Sequence, residues 1–209
     1  MKKIFALCFA AAMLLAAPHA NAQLSAGAGY LNSQEKANIK NAQRTDLNGF
    51  YAGAQYNVPL VAGLGVAPGL YVDMLFGKEE SGNAAVSGSS KYTELALNVP
   101  VNFNYSFALG RDMKVFVYAG PVFQYGLLSQ TKATVTIAGK ETSETIGNYK
   151  EKYRNPFNIY LGGGAGIDVA GIQVILGYDH SLLNAYGSAI SNNAHLGRSQ
   201  IKIGVGYAF

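Results

Sequence analysis

From Gln200 to Phe209 the chain alternates with a period of two. Ile201, Ile203, Val205, Tyr207 and Phe209 fall on one parity, and Lys202, Gly204, Gly206 and Ala208 on the other. Period two is the repeat of an extended strand. The faces are inverted relative to a half-buried soluble strand: the bulky side is apolar, and the opposite side is mostly glycine and alanine where Lys, Glu or Thr would face water. The same alternation recurs over Leu24 to Tyr30, Gly49 to Val58, Leu64 to Phe76, Glu94 to Tyr105, Val115 to Leu127, Phe157 to Val169 and Ile172 to His180. Together these make eight predicted strands, most of them close to the roughly 9 to 11 residues that a tilted strand needs to cross a bilayer.

The fourth segment is the most regular. Leu95, Leu97, Val99, Val101, Phe103 and Tyr105 lie opposite Glu94, Ala96, Asn98, Asn102 and Asn104. Asparagine amides facing hydrocarbon would lose their hydrogen bonds to water, so this face is expected to point into a wet or hydrogen-bonded interior. Charges obey the same rule. Asp73, Glu94, Asp168, Asp179, Lys202 and Arg198, the last just before the final strand, all fall opposite the bulky apolar face. With even odds per residue for the two faces, chance would give this roughly once in sixty. Within a closed interior Lys202 and Arg198 are expected to balance Asp73, Glu94 and Asp179 in the upper lumen, a structural charge network.

Connection lengths alternate too. Leu31 to Asn48, Gly77 to Thr93, Ser129 to Pro156 and Ser181 to Gly197 are long and polar, whereas Pro59 to Gly63, Ser106 to Lys114 and Ala170-Gly171 are short. Long connections at one end and tight turns at the other are the pattern of outer-membrane barrels, with the long ones outside the cell. The predicted fold is therefore all-β, an eight-stranded antiparallel up-and-down transmembrane β-barrel. Aromatics at segment ends suit two interfacial girdles: Tyr30, Phe50, Phe76, Tyr125, Phe157 and Tyr178 at one end, and Tyr56, Phe103, Tyr105, Tyr207 and Phe209 at the other. Pro68, Pro100 and Pro121 interrupt three strands. Each removes a ladder donor, so bulges that flip the parity beyond them are expected there.

Composition narrows the classes. Lys2 and Lys3, the apolar run Ile4 to Ala17 and the small-residue site Ala20-Asn21-Ala22 form a secretory signal peptide over residues 1–22, leaving 23–209 as one barrel domain. Cys8 lies inside that leader, so the remaining chain offers no disulfide and no thiolate metal site. Without the leader lysines the charge is nearly balanced, and no one-sided basic stripe marks a nucleic-acid binder. The best candidate for a membrane helix, Val58 to Phe76, contains Pro59, Pro68 and Asp73 and is excluded as one. A bilayer-spanning chain without helices must close as a barrel.

No catalytic, cofactor-binding or metal-binding residues are predicted. His180 and Ser181 follow Asp179 at a strand end, but neighbours in a strand point to opposite faces, so His180 reads as a rim residue. Glu79-Glu80 reads as a solvated turn. Gly162, Gly163, Gly164 and Gly166 lack dinucleotide spacing and read as close-packing strand positions.

The leader, the segments YTELALNVPVNFNYSF (Tyr92 to Phe107) and VFVYAGPVFQYGLL (Val115 to Leu128), and the IYLGGGAGIDV to ILGYDHSL pair resemble the small outer-membrane β-barrel proteins widespread in Bacteroidetes, similar in architecture to OmpX and OmpA barrels. That resemblance implies export to the outer membrane of a Gram-negative bacterium. It implies contact with outer-membrane lipid and lipopolysaccharide, and recognition of a closing strand that ends in Phe209 by the barrel-assembly machinery. The expected role is structural, or interaction with a surface protein or polysaccharide through the long loops. A narrow pore, a lipid-modifying hydrolase at the rim and a soluble lipocalin-like barrel with reversed faces are the alternatives.

Overall fold

A computed structural model describes residues 23–38, 44–82, 86–137, 140–190 and 194–209. The leader expected over residues 1–22, with Cys8 and His19, lies outside the described residues. Among the described residues nine strands follow one another: β1 (Gln23–Ala37), β2 (Thr45–Pro59), β3 (Leu64–Gly82), β4 (Val86–Ala108), β5 (Met113–Ile137), β6 (Lys140–Gly147), β7 (Phe157–Val169), β8 (Ile172–Ser181) and β9 (Leu196–Ala208). They form one antiparallel sheet in the order β4-β3-β2-β1-β9-β8-β7-β5-β6, and the additional pairing of β4 with β5 closes eight of them into a ring. β6 hangs on β5 outside that ring.

The faces divide as the alternation predicts. Ile203 and Val205 are 51% and 61% exposed on the outside, as are Leu161, Val174 and Leu176, whereas Asp73, Glu94 and Asn98 are each 1% exposed on the inside. A continuous apolar exterior around a polar interior is unstable in water and is the arrangement that hydrocarbon selects. The lipocalin-like alternative required the reverse and is overturned. Tyr30 and Tyr178 cap the apolar band at the end with long connections, which we call the outer end, and Tyr207 and Phe209 cap it at the other.

Several expectations need correction. The strands overrun the predicted segments: β4 and β5 have 23 and 25 residues, and much of what read as loop continues the hairpins beyond the apolar band. Within the connection expected over Ser129 to Pro156, residues up to Ile137 complete β5 and Lys140–Gly147 form β6. Glu79 and Glu80 are strand residues of β3, not a turn. Register is unbroken across Pro68, Pro100 and Pro121, where individual pairings lapse but the strands stay in step. Among the described residues the register shift lies elsewhere: Leu95 faces Leu128 while Ala96 faces Gly126, so Leu127 is the extra residue of a bulge in β5. Both Leu127 and Leu128 are consequently exposed, and Ser129 turns inward.

The short turns are locally encoded. Ala170 and Gly171, at φ 49° and 89°, occupy the left-handed region at both central positions, as the hairpin turn that matches strand twist requires. Inside, glycine makes room for tyrosine. A Cβ at Gly164 or Gly177 would meet the Tyr118 hydroxyl, so those positions on β7 and β8 let the ring lie across the lumen.

Substituting an outward residue with a charge tests the membrane-facing assignment directly. Ile203→Arg is expected to lower the unfolding free energy in lipid bilayers by about 2–4 kcal/mol, read from the fraction migrating as folded barrel across a urea series.

Candidate functional site

Two regions carry unusual chemistry, the lumen and the sheet that stands above its outer end. The upper lumen holds four charged side chains. Arg198 of β9 lies 2.8 Å from Glu35 through Nε and 2.9 Å from Glu94 through Nη1. Arg154, in the irregular segment after β6, donates through both terminal nitrogens to the two Glu35 carboxylate oxygens at 2.6 and 2.5 Å, and lies 3.8 Å from Glu94. Its guanidinium also stacks over the Tyr92 ring, 4.5 Å from the centroid. Two carboxylates and two guanidiniums therefore form a balanced square that ties β1, β4 and β9 to the 148–156 segment, with Tyr92 hydrogen-bonded to Glu94 at its edge.

Deeper, Tyr160 donates to Gln124 Oε1 at 3.1 Å and Gln124 donates to Asn98 Oδ1 at 3.0 Å, a neutral layer across the barrel. Below it Lys202 sits between two carboxylates, 2.8 Å from Asp179 and 3.9 Å from Asp73, with the Tyr51 ring centroid 5.9 Å from its nitrogen. This layer borders an internal cavity of about 90 Å³, lined by Tyr71, Asn102, Asn104 and Tyr118 among others. A space of that size, with walls part polar and part apolar, admits a few ordered waters and no solute of metabolite size.

The five residues singled out from the sequence, Asp73, Glu94, Asp179, Arg198 and Lys202, are thus distributed over two layers: Arg198 with Glu94 above, Lys202 with Asp73 and Asp179 below. Asp168 stands apart at the opposite end, accepting from Gln173 at 3.0 Å and from the Gly171 backbone at 3.1 Å. Sequence reasoning missed Glu35 and Arg154. Glu35 continues the inward parity of Leu31 and Ser33 and was legible by extending the alternation past Tyr30. Arg154 lies in irregular backbone, where no periodicity signals its direction.

His180 and Ser181 point to opposite faces. Ser181 Oγ accepts from the Arg198 backbone at 2.9 Å inside, and His180 Nδ1 lies 3.0 Å from Ser199 Oγ outside. Tyr178 also donates to that Ser199 oxygen, at 3.0 Å. With Tyr30 and Asn32 both donating to Asn48 on β1 and β2, these groups satisfy one another at the outer edge of the apolar band.

Above that edge the ring opens into a free-standing sheet. β3 and β4 stay paired up to Gly82 and Ser87, β4 and β5 up to Val86 and Ile137, and β5 and β6 from Gln130–Gly147 to Ile137–Lys140. The outer edge of β6 has no strand partner among the described residues. Beside it, residues 148–156 and 182–190 fold over the barrel mouth, held by Asn155 N to Ala185 O at 3.0 Å and Gly187 N to Tyr153 O at 2.9 Å.

An apolar exterior, a polar interior sealed in layers and a ring without edges at membrane depth define a transmembrane β-barrel. Residues 19–187 match the family described as outer membrane protein beta-barrel domain, and the chain belongs to that family. Among solved structures it is similar to Ail, the attachment invasion locus protein of Yersinia pestis, at 14% identity over 90% of this chain and 98% of that one, with a TM-score of 0.45. Neisserial surface protein A is similar at 14% identity over 90% and 99%, TM-score 0.48, and the outer membrane enzyme PagL at 11% over 88% and 98%, TM-score 0.43. No curated protein matches the chain in sequence.

Removing one member of the upper square leaves buried charge uncompensated. Arg198→Met is expected to cost about 3–5 kcal/mol, and adding Glu94→Gln to recover part of it, both measured by urea unfolding of the refolded barrel. The stacked layers also predict planar bilayers without stepwise conductance when the protein is inserted.

Proposed function

We propose that this protein is a membrane-anchored scaffold, not an enzyme or a pore, that holds the β3–β6 sheet above the outer surface of the cell as an interaction platform. The observation that supports this reading is the unpartnered edge of β6. A row of backbone N–H and C=O groups in extended geometry, set outside the ring, is the feature to which an extended segment of another protein adds as a further strand. The edge sequence KETSETIG is rich in Thr and Ser, with charged residues but no bulky apolar run, which suits a surface that must stay soluble until a specific strand arrives.

The barrel supports that platform mechanically. β4 and β5 run without a break from the opposite end of the membrane to the tip of the sheet, so the platform is a continuation of the barrel wall. The Glu35–Arg154 pair and the folded 148–156 segment brace it from the barrel mouth, next to where β6 ends.

Adhesion of bacteria expressing the protein to epithelial cell layers tests the reading. Expression is expected to raise adhesion several-fold. Proline placed in turn at Thr142 and Ser143 removes an edge N–H in one of the two cases, because neighbouring groups alternate in direction along a strand. At least one of these variants should return adhesion to background while the protein still migrates as a folded barrel. Undiminished adhesion with both variants would remove the edge from the mechanism.

A further inference from the structure

Between the upper square and the inner end, the lumen carries one negative charge more than its cations balance. Glu35 and Glu94 face Arg154 and Arg198, two against two. In the layer below, Asp73 and Asp179 share the single ammonium of Lys202, which lies 2.8 Å from Asp179 and 3.9 Å from Asp73. Asp73 is 1% exposed, and neither of its oxygens accepts a hydrogen bond. The amide nitrogen of Asn98, on the neighbouring strand, is likewise without one. A buried carboxylate left uncompensated is costly, so this layer calls for one further positive charge.

The space beside Lys202 indicates what that charge is. The cavity of about 90 Å³ there is bordered by Asp179, the amides of Gln55 and Asn102, and the phenols of Tyr51, Tyr71 and Tyr118. Asn102 is 9% exposed, and its side-chain amide has no hydrogen-bond partner among the described residues. Carboxylate, amide and phenol oxygens are hard donors, which suit hard cations. No three His, Cys, Asp or Glu side chains converge among the described residues, so the cavity lacks the charge that holds a divalent ion. A monovalent cation matches the single surplus charge. The way in is from the inner end. A second cavity, of about 60 Å³, shares Gln55, Asn104 and Phe116 with the first and continues to Gln173 and Asp168. Asp168 faces Lys114 across β7 and β5, so this lower space adds no surplus of its own. Overhead, the Tyr160–Gln124–Asn98 layer closes the path.

We infer that the cavity beside Lys202 is a binding site for one alkali cation, sodium or potassium, which enters from the inner end and completes an alternating row of cation, Asp179, Lys202 and Asp73. Its ligands are the Asp179 carboxylate, the amide oxygens of Asn102 and Gln55, and phenolic oxygens of the wall, with ordered water filling the remaining space. The occupant is a cation and not water alone, because water leaves the charge of Asp73 uncancelled. It is a bare metal ion and not an organic ammonium, because a space of that size holds little more than the ion and its water. The site is independent of what the β6 edge recruits. It makes the stability of the barrel depend on the salt at its inner end.

The test uses the full-length protein refolded into phosphatidylcholine vesicles. Urea unfolding is followed at constant ionic strength as sodium or potassium chloride replaces choline chloride, whose cation is too bulky for the cavity. With half-saturation at about 30 mM, exchange at about 300 mM should raise the folded-to-unfolded ratio roughly tenfold. Asp73→Asn removes the surplus charge, and Asn102→Leu removes an oxygen and fills the space. Each should cut the effect to about twofold or less, on the same linkage. Asp46→Asn, the same change of charge at the exposed outer end, should leave it intact. In crystals soaked with rubidium chloride, an anomalous peak is expected beside Asp179. Heat-modifiable mobility establishes that each variant is folded. Equal stability in choline and alkali chloride, an undiminished effect in either lumen variant, or its loss in Asp46→Asn would each overturn the assignment. So would a cavity without the rubidium peak, or a gain that appears only on acidification, with a proton in place of the metal ion.

Discussion

The structure depends on one requirement: at membrane depth every backbone N–H and C=O must find its partner inside the sheet, because hydrocarbon offers none. The pairing of β4 with β5 meets it. Those two strands share the longest register in the molecule, from Val86–Ile137 at the tip to Ala108–Lys114 at the far end. Once they join, none of the described strands has a free edge at the height of the apolar band. Among the described strands the edges left open, that of β6 and that of β3 beyond Phe76, lie above the outward apolar residues, where water can satisfy them. The same requirement that seals the ring therefore determines where an edge is tolerated at all.

The alternation that made the barrel legible from the chain is a record of two solvents. Where one face meets lipid and the other the lumen, the parity of Leu95, Leu97, Asn98 and Glu94 is unambiguous, and eight ring strands follow from it. Above the band both faces are wet, so residues such as those of β6, KETSETIG, carry no contrast and read as loop although they are extended. The prolines misled for a related reason. Loss of one donor predicts a bulge, yet the ladders lapse locally at Pro68, Pro100 and Pro121 without changing register. The real bulge falls at Leu127, where two leucines in sequence both face outward and Ser129 must reach Tyr92 and Asn148 inside. Both leucines suit lipid, so the change of parity left no polar mark.

The interior replaces a hydrophobic core with an ordered polar one. Its apolar part is small, Leu31, Leu47 and Leu75 with Tyr51 and Tyr92 against them. The remainder is hydrogen-bonded layers in which most charges are opposed by one of the other sign from a distant part of the chain, Glu35 by Arg198 and Arg154, Glu94 by Arg198, Asp179 by Lys202, while Asp168 is held by Gln173 and the Gly171 backbone. Slipping any strand by one residue would turn these groups into lipid and bring leucines inward. The network thus contributes specificity of register more than net stability, since burying an ion pair costs much of what its attraction returns.

Vertical position along β4 and β5 then separates the tasks of the outer surface. Going up the outer face, Leu95 and Leu128 belong to the apolar band, Thr93 and Gln130 to its boundary, and Lys91 with Lys132 and then Ser89 with Thr134 to the polar zone beyond. Each step is two residues on strands already fixed by the ring, so the spacing between anchor and platform is built into the register. Lys91 and Lys132 at that height also oppose tilting or sinking of the sheet, because their ammonium groups would have to give up water to enter hydrocarbon. The β6 edge is therefore held clear of the lipid by the same strands that close the barrel beneath it, and it is that separation which leaves its backbone free to pair with something other than the membrane.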